Sequence, residues 1–336
     1  MRRPDLSGPD LSGPDLSSPG LPTQMHEGEL EISASLVARL LREQCPEWAD
    51  LPLRRVNHSG TDNAVFRLGD DLLVRLPRIG WAAGDVLKEA KWLPRLAPWL
   101  PLPVSVPLKL GVPGAGFPWH WAVHRWLEGE DASADVVPDL NRLALDLAGF
   151  VRALQAAPTW GQPPTGLLET SRGGPLAERD EATLDATRAC GDLGLIDADR
   201  VRRIWEQAVQ APIWTAAPVW IHGDLKPGNL LSQVGHLSAV IDFGGLTLGD
   251  PAVDLMPAWN LLTPSSRARF RQALAAQGSD WLPDAWTRGR GWALSTSLIA
   301  LPYYRHTNPG LAGICRATIA AVLADVPGDP AATGPS

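Results

Sequence analysis

The stretch Val219–Asp254, VWIHGDLKPGNLLSQVGHLSAVIDFGGLTLGDPAVD, decides how the rest of this chain is read. It places a carboxylate at Asp224, a carboxamide five residues later at Asn229, and a second carboxylate thirteen residues after that at Asp242. Short apolar runs precede both acids. Val219 to Ile221 predicts a buried strand that delivers His222 and Asp224 at its end, and Leu237 to Ile241 predicts another that delivers Asp242. Pro227 and Gly228 predict a tight loop between them. Three hard oxygen groups are therefore expected at one rim.

Holding a magnesium ion on nucleotide phosphates while orienting a hydroxyl against the terminal phosphorus needs such a set. A lone His-x-Asp or a lone Asp-Phe-Gly is weak, because loop aspartates commonly cap turns. Here HGDLKPGN, IDFG and GDPAVD follow in order, and together they resemble the aminoglycoside phosphotransferase family of the protein-kinase-like superfamily. The resemblance extends more thinly from about Val56 to Asp325. It implies an α+β, bilobal protein-kinase-like fold, with a small N-terminal lobe of antiparallel sheet and helices and a larger, mainly helical C-terminal lobe. It further implies Mg2+, ATP or GTP as phosphoryl donor, and a small hydroxylated acceptor. On that resemblance Asp224 is the base toward the acceptor hydroxyl, Asn229 and Asp242 hold the metal, and Lys226 neutralises charge on the moving phosphoryl group. Gly223 departs from the arginine of protein kinases, and many relatives carry histidine where Lys226 stands. His222 is expected to pack behind the loop, and Asp250 and Asp254 to pin the segment in place.

Upstream, Leu53 to Val56, Ala64 to Leu68 and Asp71 to Leu76 predict three short strands, preceded by an amphipathic helix over Leu30 to Gln44 with Ser33 or Ser35 at its cap. The turn from His58 to Asn63 carries Ser59 and Gly60, and by position it would cover the phosphates. It holds no GxGxxG, and no Walker A sequence occurs in the chain. Arg75 takes the place of the phosphate-gripping strand lysine. A helix from Asp85 to Leu96, with Asp85 as its N-cap, puts Glu89 within reach of Arg75 as an ion-pair partner. Val123 to Gly129 resembles the hinge between lobes, with His124, Arg125, Trp126 and Leu127 offered to the purine. Asp139 to Ala156 is the strongest helical stripe. Further helices are expected over Leu176 to Ala189, Ala198 to Gln210, Ser265 to Gln277, Pro283 to Leu301 and Asn308 to Leu323.

These boundaries give a PDLSG-repeat leader over 1–26, a nucleotide lobe and hinge over 27–127, a catalytic and acceptor lobe over 128–326, and a frayed tail over 327–336. The repeats are too poor in apolar side chains to offset the entropy of ordering. With 336 residues, 45% hydrophobic and 20% charged, the chain has the composition of a globular enzyme. A net charge of −7 argues against a nucleic-acid partner. No apolar run reaches the length of a membrane span. Three scattered cysteines without CxxC spacing suggest neither a disulfide framework nor a zinc site, and so favour the cytoplasm.

Two other readings stay open on the residues. A catalytically silent, kinase-like nucleotide-binding protein is opposed by the presence of Asp224, Asn229 and Asp242. A protein kinase is opposed by the absence of an activation segment between IDFG and GDPAVD. The acceptor is the least legible part. From Ala285 to Leu323 there is no acidic side chain, while Arg288, Arg290, Arg305, Arg316, Trp286, Trp292, Tyr303 and Tyr304 are present. If these terminal helices line the acceptor cleft, as the resemblance implies, they offer aromatic faces and cations, and a neutral or singly charged, partly apolar acceptor is expected rather than a polycation. The segment Glu169 to Asp199 is rich enough in Asp and Glu to contribute one anionic wall.

Overall fold

The computed structural model describes residues 28–56, 60, 62–133, 135–161, 172–276 and 282–325. The leader, Ser59 and the tail lie outside them. The first lobe is an antiparallel sheet in the order β1-β2-β3-β5-β4, formed by β1 (Leu53–Arg55), β2 (Asn63–Leu68), β3 (Leu72–Pro77), β4 (Pro107–Gly111) and β5 (Trp121–Arg125). Strand side chains alternate between faces, and the alternation here separates two jobs. Ala64, Phe66, Leu68, Val74, Leu76, Trp121 and Val123 face one side and pack with Val37, Leu40 and Leu41 of α1 (Ala34–Gln44) into a compact core. Their neighbours Val65, Leu73, Arg75 and His124 face the other side and line a cleft. The register brings them together, with Val65 opposite Arg75 and Leu73 opposite His124.

The Ser33 hydroxyl caps α1 by accepting the Leu36 N–H at 3.2 Å. Helix α2 (Ala83–Leu96) differs from expectation at its start. A single 3₁₀ turn, Gly80–Ala82, leads directly into it, and Asp85 lies inside the first turn rather than at the cap. There Asp85 pairs with Lys88 at 2.9 Å. Further along α2, Trp92, Leu93 and Leu96 leave the small lobe and join the larger core. This helix thus bridges both lobes.

The second lobe begins with β6 (Glu130–Asp131) and α3 (Leu140–Ala156), whose N-cap Asp139 accepts the N–H groups of Asn141 and Arg142. Leu143, Leu147, Phe150, Val151 and Leu154 are fully buried, as the stripe predicts. The next helix starts late: Leu176–Arg179 winds as a 3₁₀ turn after Pro175, and α4 spans Asp180–Asp192. Then follow α5 (Ala198–Gln210) and the motif-bearing strands β7 (Val219–Ile221), β8 (Leu230–Gln233), β9 (His236–Val240) and β10 (Thr247–Gly249). Strand β7 pairs with β10, and β6, β8 and β9 make a second small sheet. The segment after Asp250 is a short 3₁₀ helix, Pro251–Leu255, with Asp250 at its cap. The chain finishes in α6 (Pro257–Asn260), α7 (Pro264–Ala275), α8 (Leu282–Tyr304) and α9 (Pro309–Ala324).

Candidate active site at the meeting of two clefts

The paired strands β7 and β10 throw two loops against each other, and glycine is what lets them touch. Gly223 has φ +79°, and a Cβ there would lie 2.5 Å from the Gly245 carbonyl oxygen. A larger residue at this point would need both a left-handed backbone and a gap that does not exist. That is the physical reason for glycine where protein kinases carry arginine. The Asp254 carboxylate receives the backbone N–H groups of His222 and Gly223, each at 2.8 Å, so it fixes the loop from below. Burial lifts the Asp254 pKa to about 7, against the pull of those two N–H donors. Asp250 caps Ala252 and takes the guanidinium of Arg288 at 2.6 Å. Both acids hold the fold together, as expected.

His222 is fully buried against Phe243, with ring centroids 4.6 Å apart. Its Nε2 donates to the Ile241 carbonyl at 3.0 Å and its Nδ1 accepts the Asp224 N–H at 3.2 Å. That pattern is a neutral imidazole. Burial also lowers its pKa, so the ring ties β9 to the Asp224 loop without titrating near neutrality.

Around Asp224 the charges are closely clustered. Lys226 Nζ lies 2.5 Å from Asp224 Oδ2, Asn229 Nδ2 donates to the same oxygen at 3.1 Å and to the Asp224 carbonyl at 2.8 Å, and Arg172 Nη2 stands 3.5 Å from Oδ1. Burial alone would lower the Lys226 pKa. Asp224 and then Asp242 outweigh it and raise the pKa, so the ammonium stays charged. Asp242 itself sits at φ 60° and ψ 70°, an unusual left-handed conformation for a residue with a side chain. Such strain persists only where the surroundings hold it, and it aims the carboxylate into the cleft.

That cleft, about 420 Å³, runs between the sheet and the loops. Gly60, Arg75, His124, Arg125, Trp126, Leu127, Asn229 and Asp242 all line it, so one cavity gathers sequence-predicted residues that lie far apart in the chain. Arg75 Nη1 reaches both Glu89 oxygens at 2.8 Å, and its Nη2 pairs with Asp242. Burial works to lower the arginine's pKa, but Glu89 and Asp242 more than reverse that, and the guanidinium remains firmly protonated. Burial pushes Glu89 up, with Arg75 pulling it back. Among the described residues no cluster of three or more His, Cys, Asp or Glu could hold a metal. Magnesium does not require one. It takes one or two protein oxygens and completes its shell with phosphate oxygens and water. Asn229 and Asp242, facing one cleft, fit that demand.

The profile of a family described as "Phosphotransferase enzyme family" matches residues 54–292, well over half of the chain. The chain belongs to this family. Solved structures agree in fold. The GDP and kanamycin complex of the aminoglycoside phosphotransferase APH(2")-IIIa is 20% identical, with TM-score 0.64, over 86% of this chain and 98% of that one. Macrolide 2'-phosphotransferase MphH from Brachybacterium faecium is 23% identical, with TM-score 0.57, over 88% and 98%. The ADP-bound APH(2'')-Ib is 14% identical, with TM-score 0.57, over 86% and 99%. Comparison with curated protein sequences returns no match.

In this phosphotransferase a second, smaller cleft of about 90 Å³ opens on the other side of Asp224. Arg172, Asp224 and Lys226 are its charged lining, with Met256, Asn260, Thr296, Leu311 and Cys315 among the rest. Helices α8 and α9 do line it, but not with the residues the sequence singled out. Trp286 and Trp292 are buried in the core, Arg288 is held by Asp250, and none of these, nor Arg290, Tyr303, Tyr304, Arg305 or Arg316, reaches this cleft. A helix turns a different face to the cleft every few residues, and composition alone does not say which face. The acidic wall also fails. Asp180 takes the Trp205 N–H, Asp185 pairs with Arg188, Asp197 caps α5 and Asp199 pairs with Arg202. Glu169 lies outside the described residues.

Sequence reading missed Arg172, Asn260 and the tie between α2 and the IDFGG loop, where Lys88 donates to the Gly244 carbonyl. Asn260 donates to the Leu225 carbonyl at 2.9 Å, while its Oδ1 is buried without a partner. No motif marks these positions.

Proposed function

We propose that the chain transfers the γ-phosphate of ATP or GTP to a hydroxyl of a compact, neutral or near-neutral small molecule. One observation carries the reading. Asn229 faces the larger cleft, Asp224 faces the smaller, and the two side chains are hydrogen-bonded at 3.1 Å. A nucleotide in the first cleft and an acceptor in the second would meet across that bond.

In this scheme Arg75, oriented by Glu89, grips the nucleotide phosphates, and Asn229 and Asp242 hold Mg2+. When bound, the metal supplies charge neutralisation on the phosphate oxygens. Asp224 orients the acceptor hydroxyl and takes its proton as the new O–P bond forms, while the bond from the γ-phosphorus to the bridging oxygen breaks and the nucleoside diphosphate leaves with the electron pair. Lys226, and Arg172 beside it, offset the charge spread over the moving group. The acceptor preference follows from the smaller cleft. Two cations and one carboxylate leave no means to pair several ammonium groups drawn out of water. The neutral side chains around them suit hydroxyl and apolar surface instead.

The test is Mg2+-dependent nucleotide consumption across a panel of aminoglycosides, macrolides and hydroxylated metabolites. Turnover on uncharged or singly charged acceptors supports the proposal. Turnover on kanamycin-like polycations alone would refute the acceptor class and leave the transferase standing. Tight nucleotide binding with no turnover on any acceptor would favour a silent, kinase-like binding protein.

A further inference from the structure

The larger cleft ends in a polar wall that backbone recognition of a purine does not use. His124, only 1% exposed, lies inside β5, so its side chain rather than its backbone meets the cavity. Its Nδ1 is 3.0 Å from the Ser105 carbonyl oxygen. A carbonyl only accepts, so Nδ1 carries the proton and Nε2 of the neutral ring is left as a bare acceptor. Burial, and then the nearby Arg75, push the His124 pKa down to about 3, which keeps the ring neutral at any working pH. Both His124 Nε2 and the Ser105 hydroxyl are buried and without a partner, and both residues line the cleft. Buried polar atoms of a folded protein are nearly always satisfied, and two adjacent exceptions at the end of a ligand-sized cavity point to a ligand that satisfies them.

We propose that His124, with Ser105 beside it, makes the donor site selective for adenine over guanine nucleotides. This rests on the reading of the larger cleft as the nucleotide site, with the Watson–Crick edge of the base against the backbone of Arg125 to Leu127. The substituent at purine C6 then lies next to the last residues of β5, where the His124 side chain meets the cleft. Adenine presents an amino group there, and one of its N–H bonds meets the lone pair on Nε2. Guanine presents a carbonyl oxygen, and two acceptors face each other across a site too buried for water to intervene. The Ser105 hydroxyl rotates to donate to N7, which both bases share, so it adds affinity without discrimination. Fold likeness leaves the base open, because the similar structures hold GDP in one case and ADP in another.

The experiment is equilibrium titration of the full chain, in Mg2+, with ATP, GTP and purine ribonucleoside triphosphate, which lacks any C6 substituent. The expected order is ATP tightest, with the C6-unsubstituted nucleotide next and GTP weakest, ATP and GTP differing by about 10- to 100-fold. His124→Leu should bring ATP and GTP to within about threefold of each other, because it removes the acceptor for one and the repulsion for the other. Ser105→Ala should weaken both nucleotides alike. Equal or tighter GTP binding by the unaltered chain overturns the proposal without any variant. So does a His124→Leu protein that folds and keeps the original ratio. Failure to bind any of the three nucleotides would instead overturn the reading of the cleft itself, and the selectivity with it.

Discussion

The two clefts on either side of Asp224 are built from different materials. The larger is walled by strands and by loops that end strands, and its lining carries charges of both signs, Arg75 and Asp242 among them, with the Asn229 carboxamide beside them. The smaller draws on loops together with α8 and α9, and its lining beyond Arg172, Asp224 and Lys226 is uncharged. A strand fixes which face a side chain takes by simple alternation, so the larger cleft is set by local pattern. A helix packed among other helices fixes its faces only through the whole lobe. On the proposed function, nucleotide binding falls on the locally determined side, and acceptor choice on the side that only the packing of the whole lobe determines.

The comparison breaks most sharply at Asp242. Asp242→Ala should abolish Mg2+-dependent nucleotide binding while leaving acceptor binding intact, because the carboxylate faces the larger cleft alone. Asp254→Ala should mainly destabilise the fold, since its oxygens are spent on the His222 and Gly223 N–H groups. Calorimetric titration of Mg-nucleotide into both folded variants decides this. Equal loss of binding in a stably folded Asp254→Ala protein would contradict the division of labour.

Next in size is the buried pair. Glu89→Ala leaves the Arg75 charge deprived of its bidentate partner, and breaking such a pair costs about 3–5 kcal/mol. Denaturant unfolding should show that loss, and nucleotide KM should rise as Arg75 turns wholly to Asp242. A change within 0.5 kcal/mol or so would be the size of a surface substitution and would rule out a buried orienting pair.

A pH series sharpens the nucleotide side alone. The unfolded chain takes up a proton at His124 below the ordinary value of 6.5, while the folded chain refuses it until about 3. Stability from that residue is thus complete above pH 6.5 and is lost as pH falls through the window, by about 1.4 kcal/mol per unit or roughly 2 kcal/mol at pH 5. His222, also lowered, adds in the same sense. Asp254, raised from 3.8 to about 7, acts oppositely: the folded chain binds the extra proton, so its contribution falls as pH rises through that range. The readout is therefore the difference between His124→Leu and the unaltered chain, whose stability slopes between pH 4 and 6 should differ by about one proton. Parallel slopes would mean that His124 is not buried as a neutral ring.

The smallest expected effect belongs to the acceptor side. Asn260→Ala removes the bond to the Leu225 carbonyl and a side chain that lines the smaller cleft, its Oδ1 buried without a partner. It should raise acceptor KM by about 5- to 10-fold, the worth of one hydrogen bond, with nucleotide KM unchanged. A matching change in nucleotide KM would show that the two clefts are not separable.

The same contrast explains what could be read from the sequence. HGDLKPGN and IDFG carried the loops, the antiparallel sheet and the Arg75–Glu89 pair, because each rests on short-range pattern plus a family likeness. Asp85 was misplaced as a cap because a 3₁₀ turn moves the start of α2 upstream, and no residue type announces such a turn. Trp286, Trp292 and Arg288 entered the acceptor argument only through the composition of the terminal helices, and the lobe uses them for its core and for the Asp250 pair. Arg172 and Asn260 reach the site from segments with no motif. Their positions are consequences of tertiary packing.

The most direct test is single-turnover phosphoryl transfer by Asp224→Asn, measured beside Mg-nucleotide titration of the same protein. Asparagine keeps the shape but takes no proton, so transfer should fall by about two to four orders of magnitude while nucleotide affinity stays nearly unchanged. Transfer at close to the original rate would remove Asp224 from the chemistry and, with it, the claim that the two clefts meet at a catalytic carboxylate.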